Sequence, residues 1–383
     1  MLRKAKLIWV DGLSGTGKDT QIESIKTFFE DKGFKPKLVR EPEFLRERIY
    51  AYKKMPPEIR DVEVEAMLFV ADRRHLVNTE IEPTMQQEGV VILSNRSYLS
   101  HCVYQTMQGM ELERILEMNS FYPDPDLALV LLCDPETAVQ RTVERAEKTG
   151  KQTTADEKVE KITRLKQGYE SLSEKLPNLN IKYVNADGSK LATFYQTRSH
   201  LNNLLGVPME KTIFLDKDGT LVDNSGYPDV IPSEDIYFDR TVTGLRALQD
   251  AGFKLILISS QPWVARERMT IQEVDNVFKS VVLQYAQVGI TIDDFYYCPH
   301  HRSDGCACKK PNTGLLEDAT AKFNIDTSRS YFVGDMEGDI ITGRNFGLKT
   351  CLVRTGNGKD YDSKVEPDYD AADVNRFAHA ILE

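Results

Sequence analysis

Two short stretches of this chain have the residue types and spacing to handle a phosphoryl group. The first, Gly12-Leu-Ser-Gly15-Thr-Gly17-Lys18, follows an apolar run and precedes a helical pattern. In that setting glycines let backbone N–H groups wrap a phosphate, the helix N-terminus adds positive field, and Lys18 reaches the transferred group. The position after the lysine, where a Ser or Thr hydroxyl ordinarily meets Mg2+, is Asp19, with Thr20 behind it. The second stretch is Phe214-Leu-Asp216-Lys-Asp218-Gly-Thr-Leu221, again at the end of an apolar run. Its i, i+2 spacing puts the Asp216 and Asp218 carboxylates on the same side of the loop, where two acids could share the work of a hydrolysis. Taken alone, this stretch also reads as an Asp- and Gly-rich turn without chemistry.

A third constellation points to a metal. Cys298-Pro-His300-His301-Arg-Ser-Asp-Gly-Cys306-Ala-Cys308 gathers half of the six cysteines into one short loop. Six are too few for a disulfide framework in a chain this long. Three thiolates (Cys298, Cys306, Cys308) and the His300 imidazole make a closed tetrahedral set, so the expected ion is a structural Zn2+ that stiffens the loop carrying Lys309 and Lys310. His301 is read as a substrate-side or solvated residue.

The elements needed to hold these groups follow from the alternation of apolar runs with amphipathic stretches. Leu7-Ile-Trp-Val10, Pro36–Arg40, Val90–Leu93 and Leu127–Leu132, then Thr212–Leu215, Leu255–Ile258 and Tyr331–Val333, read as strands between helices. The fold class is therefore α/β with parallel sheets. A length of 383 residues exceeds what one core usually supports. The pattern breaks at Asn202–Glu210, after a polar helical stretch from Asp156 to Leu176, which places two domains at 1–205 and 209–383. With no signal-like or membrane-length apolar segment, a cytosolic location is expected. The net charge of −10 disfavours broad attraction to a polyanion and favours small phosphorylated substrates.

The N-terminal half resembles the thymidylate kinases over roughly residues 5 to 180. The resemblance is carried by the P-loop, Val39-Arg-Glu-Pro42, Leu68-Phe-Val-Ala-Asp-Arg-Arg74, Asn95-Arg96-Ser-Tyr-Leu-Ser100 with Val103-Tyr-Gln105, and Pro123-Asp-Pro-Asp126. It implies that Arg96 holds the acceptor phosphate, Arg73 faces the base, Tyr104 and Gln105 line the nucleoside pocket, and Arg141 and Arg145 contact the donor phosphates. Gly12, Gly15, Gly17, Lys18, Asp19 and Thr20 would bind ATP. Three positions depart from the family pattern: Ser14 replaces an acidic residue, Glu43-Phe44 stand where Gly-Gly-Thr usually follows, and Asn95 replaces an aspartate. A carboxylate lost at position 95 thus reappears at position 19, which suggests relocated Mg2+ coordination; alternatively, Asp19 merely complements the helix dipole.

The C-terminal half resembles phosphatases of the haloacid dehalogenase (HAD) superfamily, whose first motif the Phe214–Leu221 stretch reproduces; the resemblance implies that Asp216 is the nucleophile that attacks phosphorus and Asp218 the general acid/base for the leaving group. Ser259, at the end of its strand, matches the hydroxyl of the second motif and Lys310 the cation of the third. Gly334-Asp335-Met-Glu-Gly-Asp339 matches the acidic fourth motif. Mg2+ is expected on Asp216, Asp218 and Asp335. Gln261, Arg266, the zinc loop and Lys309-Lys310-Pro311 resemble capless, Rossmann-like members acting on heptose bisphosphate and histidinol phosphate, over residues 211 to 358, with Arg266 on the substrate side. Pro262-Trp263 and Met336 depart from that pattern. The combined expectation is a bifunctional nucleoside monophosphate kinase and phosphomonoesterase using ATP, Mg2+ and Zn2+, with a homodimer as an option. A polynucleotide 5′-kinase/3′-phosphatase for nucleic-acid end repair is the alternative, and a nucleotide-sensing scaffold with degenerate sites is a third class.

Overall fold

The computed structural model of the chain describes residues 4–149, 159–223 and 239–383. Residues 156–158, the start of the expected polar helix, lie outside them; within them that helix runs Val159–Glu170. The chain forms two compact units, 1–190 and 191–383. No described helix is long and apolar enough to cross a membrane.

The first unit is built on five parallel strands, β1 (Lys6–Gly12), β2 (Lys35–Arg40), β3 (Val90–Asn95), β4 (Leu127–Leu132) and β5 (Ile181–Asn185), in the order β2-β3-β1-β4-β5. β4 is buried along its whole length and β1 beyond its first residue. Unbroken apolar runs are what a parallel sheet covered on both faces requires. Trp9 fills the space above β1, edge-on to Tyr98 at 4.9 Å and Tyr122 at 5.1 Å. The helix Lys18–Glu30 covers the sheet through Ile22, Ile25 and Phe29, one helical face. Val10 pairs with Asn95 and Gly12 with Leu131, so β1 and β3 finish side by side at the carboxyl edge, where the strand order reverses. Open α/β sheets bind ligands at such an edge. Gly12 is required there: at φ 125°, a Cβ would sit 2.0 Å from the Leu131 carbonyl oxygen.

The second unit has six parallel strands: β6 (Thr212–Leu215), β7 (Lys254–Ser260), β8 (Asp294–Cys298), β9 (Tyr331–Gly334), β10 (Lys349–Val353) and β11 (Tyr369–Ala371), ordered β11-β10-β9-β6-β7-β8. The helix Ile271–Gln287 starts at a Thr270/Glu273 capping box and buries Val274, Phe278, Val281 and Tyr285 at helical spacing. β6 lies between β7 and β9, which brings Asp216, Ser259 and Asp335 to one carboxyl edge.

The sequence placed the domain break at 205, whereas the units divide at 190. The helix Lys190–Leu205 packs on the second unit, with Ala192 and Tyr195 in one core with Phe214, Phe332 and Phe346. Ser199 Oγ donates to Asp326 at 2.8 Å, and Asn202 to Asn324 at 3.1 Å. The Gly206-Val-Pro turn ends the helix without marking a change of core.

Candidate active sites

In the first unit the glycine-rich loop leaves β1 and enters its helix through Gly17, which is in the left-handed region at φ 77°. Gly15 also has positive φ, and a Cβ there would meet the Ala138 carbonyl oxygen at 2.6 Å. Lys18 Nζ folds back on the loop, donating to the carbonyls of Gly12 at 3.1 Å and Leu13 at 2.5 Å. Burial, then the Arg96 charge, presses the Lys18 pKa well below the usual lysine range. Such a cation gains from a phosphate nearby.

The hub of this site is Asp11, a residue the sequence reading passed over. Its fully buried carboxylate accepts from Gly12 N at 2.8 Å, Ser97 N and Oγ at 3.1 Å, Ser100 Oγ at 2.7 Å, Tyr169 Oη at 3.0 Å and Arg96 at 3.1 Å. Burial alone would raise its pKa. The Arg96 charge and the hydrogen bonds from Ser100 and Gly12 outweigh burial and hold it below the ordinary value. Arg96 also donates to the Gly12 carbonyl at 2.9 Å. Its backbone is left-handed at φ 85°, a conformation costing a non-glycine residue about 1–3 kcal/mol, and surviving only where the surroundings impose it. The only sequence signal for Asp11 was an acid directly before the first loop glycine.

The other expected residues are placed unequally. Arg73 is 2% exposed, with its Nε on Glu41 Oε2 at 2.7 Å and its guanidinium also donating to Asn119 and approaching His101. It is thus the centre of a buried cluster. Tyr104 lines a cavity of about 360 Å3 with Met107, Gln108, Lys161, Arg164 and Leu165. Gln105 is buried, and its Oε1 has no hydrogen-bond partner among the described residues. Arg141 is bound by the Ala186 and Asp187 carbonyls at 2.6 and 3.2 Å, clamping the end of β5; Arg145 is exposed on the same helix. Thr20 and Asp19 are exposed, and Asn95 Nδ2 donates to Asp19 Oδ1 at 2.9 Å.

In the second unit Lys310 Nζ bridges Asp216 and Asp339, 2.5 Å from each, and contacts the Ile258 carbonyl at 3.3 Å. Asp216, Asp335 and Asp339 are all buried, with carboxylate oxygens within 4.8 Å of one another. Burial, with Asp339, Asp335 and Asp218 adding to it against Lys310, raises the Asp216 pKa well above the carboxylate range. For Asp335 burial and Asp339 push the pKa up to about 6. Asp335 Oδ2 takes Asn357 N at 2.7 Å, while its buried Oδ1 has no partner among the described residues. Three buried carboxylates, two of them bound to one lysine and the third with an orphaned oxygen, fit a divalent cation bound by hard oxygen ligands.

The sequence put Asp218 in this set. The structure instead turns its side chain to Lys217 and to Gln261 Nε2 at 2.7 Å, and Asp339 takes the third corner. Gln261 Nε2 also reaches Ser259 Oγ at 3.0 Å, so one amide orients both the acid and the hydroxyl. The signal for Asp339 was its place as the last acid of the fourth motif; in the structure it is the third residue of the helix Glu337–Asn345, and its Oδ2 takes Met336 N at 3.0 Å. Arg266 is exposed, about one ring's reach from the buried Trp263 at 5.7 Å, with Arg268 at 5.6 Å.

The loop after β8 gathers Cys298, His300, Cys306 and Cys308, with ligand atoms within 4.8 Å of one another. Their sulfurs lie 3.5–3.6 Å apart along two edges, and His300 Nδ1 is 3.1 Å from Cys308. A tetrahedron with Zn–S bonds of about 2.3 Å has edges of about 3.8 Å, so the donor set fits zinc. His301 turns away to Ser303 at 2.9 Å.

Comparison with known proteins agrees with both halves. The sequence profile of the thymidylate kinase family matches residues 10–194, and that of the HAD-hydrolase-like family residues 307–377. A probable thymidylate kinase of Pyrococcus horikoshii is 33% identical over 185 residues, covering 47% of this chain and 87% of that protein. The D-glycero-beta-D-manno-heptose-1,7-bisphosphate 7-phosphatase of Pasteurella multocida is 33% identical over 168 residues, 42% of this chain and 91% of its own. That of Haemophilus ducreyi is 35% identical over 156 residues, 38% of this chain and 85% of its own. The first unit therefore belongs to the thymidylate kinase family and the second to the HAD-like phosphatases, which makes the chain a kinase and a phosphatase in one polypeptide.

Proposed function

We propose that the first unit transfers the γ-phosphoryl group of ATP to a nucleoside monophosphate and that the second hydrolyses a small phosphomonoester, both in the cytosol. The observation that carries this reading is common to both sites: at the carboxyl edge of each sheet a cation aimed at phosphate is fixed by a buried aspartate, Arg96 by Asp11 and Lys310 by Asp216. Phosphoryl transfer is mostly positioning and charge neutralisation, and these pairs supply both.

In the kinase, Lys18 and the loop N–H groups take the donor phosphates, and Arg96 holds the acceptor phosphate against them. In the phosphatase, the Asp216 carboxylate attacks phosphorus and the ester P–O bond breaks. Asp218, oriented by Gln261, gives its proton to the leaving oxygen, then takes one from the water that releases phosphate from Asp216. Lys310 and Ser259 neutralise and position the transferring group. The Mg2+ that such enzymes use would be held by Asp216, Asp335 and Asp339, supplying charge neutralisation. Zinc held by Cys298, His300, Cys306 and Cys308 would be structural and would stiffen the segment that delivers Lys310.

The test is a mass-spectrometric screen of nucleoside monophosphates, sugar phosphates and phosphorylated oligonucleotides on wild type, Lys18→Ala and Asp216→Asn. The expected result is loss of phosphorylation alone in the first variant and of dephosphorylation alone in the second. Loss of both activities in a folded single variant would refute the two-site reading. Conversion of oligonucleotide ends alone would replace it with end repair.

A further inference from the structure

We infer that Asp19 is the protein carboxylate of the kinase unit's Mg2+-nucleotide site, and that Asn95 is present to hold it; the inference rests on the reading of this unit as an ATP-dependent kinase. In P-loop enzymes generally, the residue after the loop lysine brings a neutral hydroxyl to Mg2+, and an acidic side chain from a neighbouring strand end supplies charge. This chain reverses the two. The carboxylate stands at position 19, and the strand-end position 95 carries an amide.

The register explains why the exchange is a matched pair. Asn95 is the last residue of β3 and lies beside Val10 of β1, so its side chain emerges next to the first turn of the P-loop helix. There its Nδ2 donates to Asp19 Oδ1 at 2.9 Å. An aspartate at 95 would bring a second carboxylate to that distance, and two like charges so close oppose each other. With Asp19 in place, the strand end must be a donor. The hydrogen bond takes up Oδ1 alone; among the described residues no other hydrogen bond is made to this exposed carboxylate. The donor chemistry suits the ion: Mg2+ is held by hard oxygens, with one or two carboxylates added to phosphate oxygens and water. Asp19 also contributes to the field at Lys18, which ties it electrostatically to the phosphate-binding lysine. Complementing the helix dipole would explain an acid in the first turn, but not the exchange of an acid for an amide opposite it.

The decisive measurement is the Mg2+ dependence of nucleotide binding. Calorimetric titration of the full chain with the non-hydrolysable analogue AMP-PNP, in EDTA and in Mg2+, gives the factor by which the cation tightens binding. Manganese bound in the ternary complex, counted by electron paramagnetic resonance, is the second readout. Urea unfolding of the kinase unit, followed by Trp9 fluorescence in a Trp263→Phe background, serves as the folding control. In Asp19→Asn the affinity in EDTA should hold or improve, while the Mg2+-dependent gain should shrink by about tenfold or more, within the range of ordinary coupling. Asp19→Ser should behave likewise, and Asp19→Ser with Asn95→Asp should recover most of the gain, because the carboxylate returns to the strand end. An undiminished gain in Asp19→Asn, or strictly additive losses in the double variant, overturns the inference and leaves the kinase reading standing. Absence of analogue binding by the wild type in both buffers would overturn the kinase reading, and this inference with it.

Discussion

Replacing Lys310 with methionine tests how the phosphatase site is held together. The substitution keeps the length of the side chain and removes its charge from between Asp216 and Asp339, 2.5 Å from each. At an effective dielectric of about 20, one contact at that distance corresponds to a Coulomb attraction of about 7 kcal/mol, most of it offset by desolvation of both partners. The relevant figure is the cost of stripping one partner from a buried pair, about 3–5 kcal/mol. A proton can limit that cost. Burial already raises the Asp216 pKa, and without Lys310 it rises further. A carboxyl whose folded pKa lies above its unfolded value of about 3.9 destabilises the fold increasingly as pH climbs from there to the folded pKa, by about 1.4 kcal/mol per unit. The variant should therefore lie close to wild type near pH 4.5, where Asp216 holds a proton in both, and fall behind, by up to about 3–5 kcal/mol, in alkaline solution above the raised wild-type pKa. Added Mg2+ should narrow the gap. The two tryptophans, Trp9 and Trp263, fall one in each unit, so urea unfolding followed by fluorescence in a Trp9→Phe background reports on the phosphatase unit. A loss below about 1 kcal/mol in alkaline solution, or the same loss near pH 4.5, would refute the electrostatic account.

Elemental analysis should find about one zinc per chain, and Cys306→Ser should lower both zinc content and phosphatase turnover; full turnover by zinc-free protein would separate the loop from the site. Gly15→Ala puts a Cβ against the Ala138 carbonyl at positive φ, so kinase binding of ATP should be lost with about 1–3 kcal/mol of strain; unchanged ATP affinity would contradict the loop geometry. His101 is buried, and that burial, with the charges of Arg73 and Lys53, holds its pKa well below the usual value. The unfolded chain thus takes the proton first, and the kinase unit should lose about 1.4 kcal/mol per pH unit below about 6.5. His101→Asn should remove that slope, as read from Trp9 fluorescence in a Trp263→Phe background; an unchanged slope would assign it to other groups.

Much of this architecture was legible because parallel sheets write their strands as unbroken apolar runs and place functional residues at strand ends. Asp216, Ser259 and Asp335 stand at such ends, Lys310 was identified by the resemblance to the third HAD motif, and the four zinc ligands by spacing. What escaped depends on distant packing. Asp11 reads as the last polar residue of a strand, and its partners Arg96, Ser97, Ser100 and Tyr169 come from remote segments. Arg73 reads as a cation on a helix; its burial against Glu41 and Asn119 is visible only once β2 and the loop before β4 close over it. The helix Lys190–Leu205 ends in a clear turn signal, but which core its apolar side chains join is decided by residues more than a hundred positions later, such as Phe332 and Phe346.

The central place of β1 in its sheet has a consequence for how the chain is made. Both neighbours of this strand, β3 and β4, follow it in sequence, and β4 begins at Leu127. At a synthesis rate of about 5–20 residues per second, the P-loop strand waits roughly 6–23 s after its own completion before the ribosome finishes the interval to β4. Until then Leu7, Ile8, Trp9 and Val10, all fully buried in the finished unit, have no complete sheet to enter. Within the first unit this strand is thus the longest without its full set of partners.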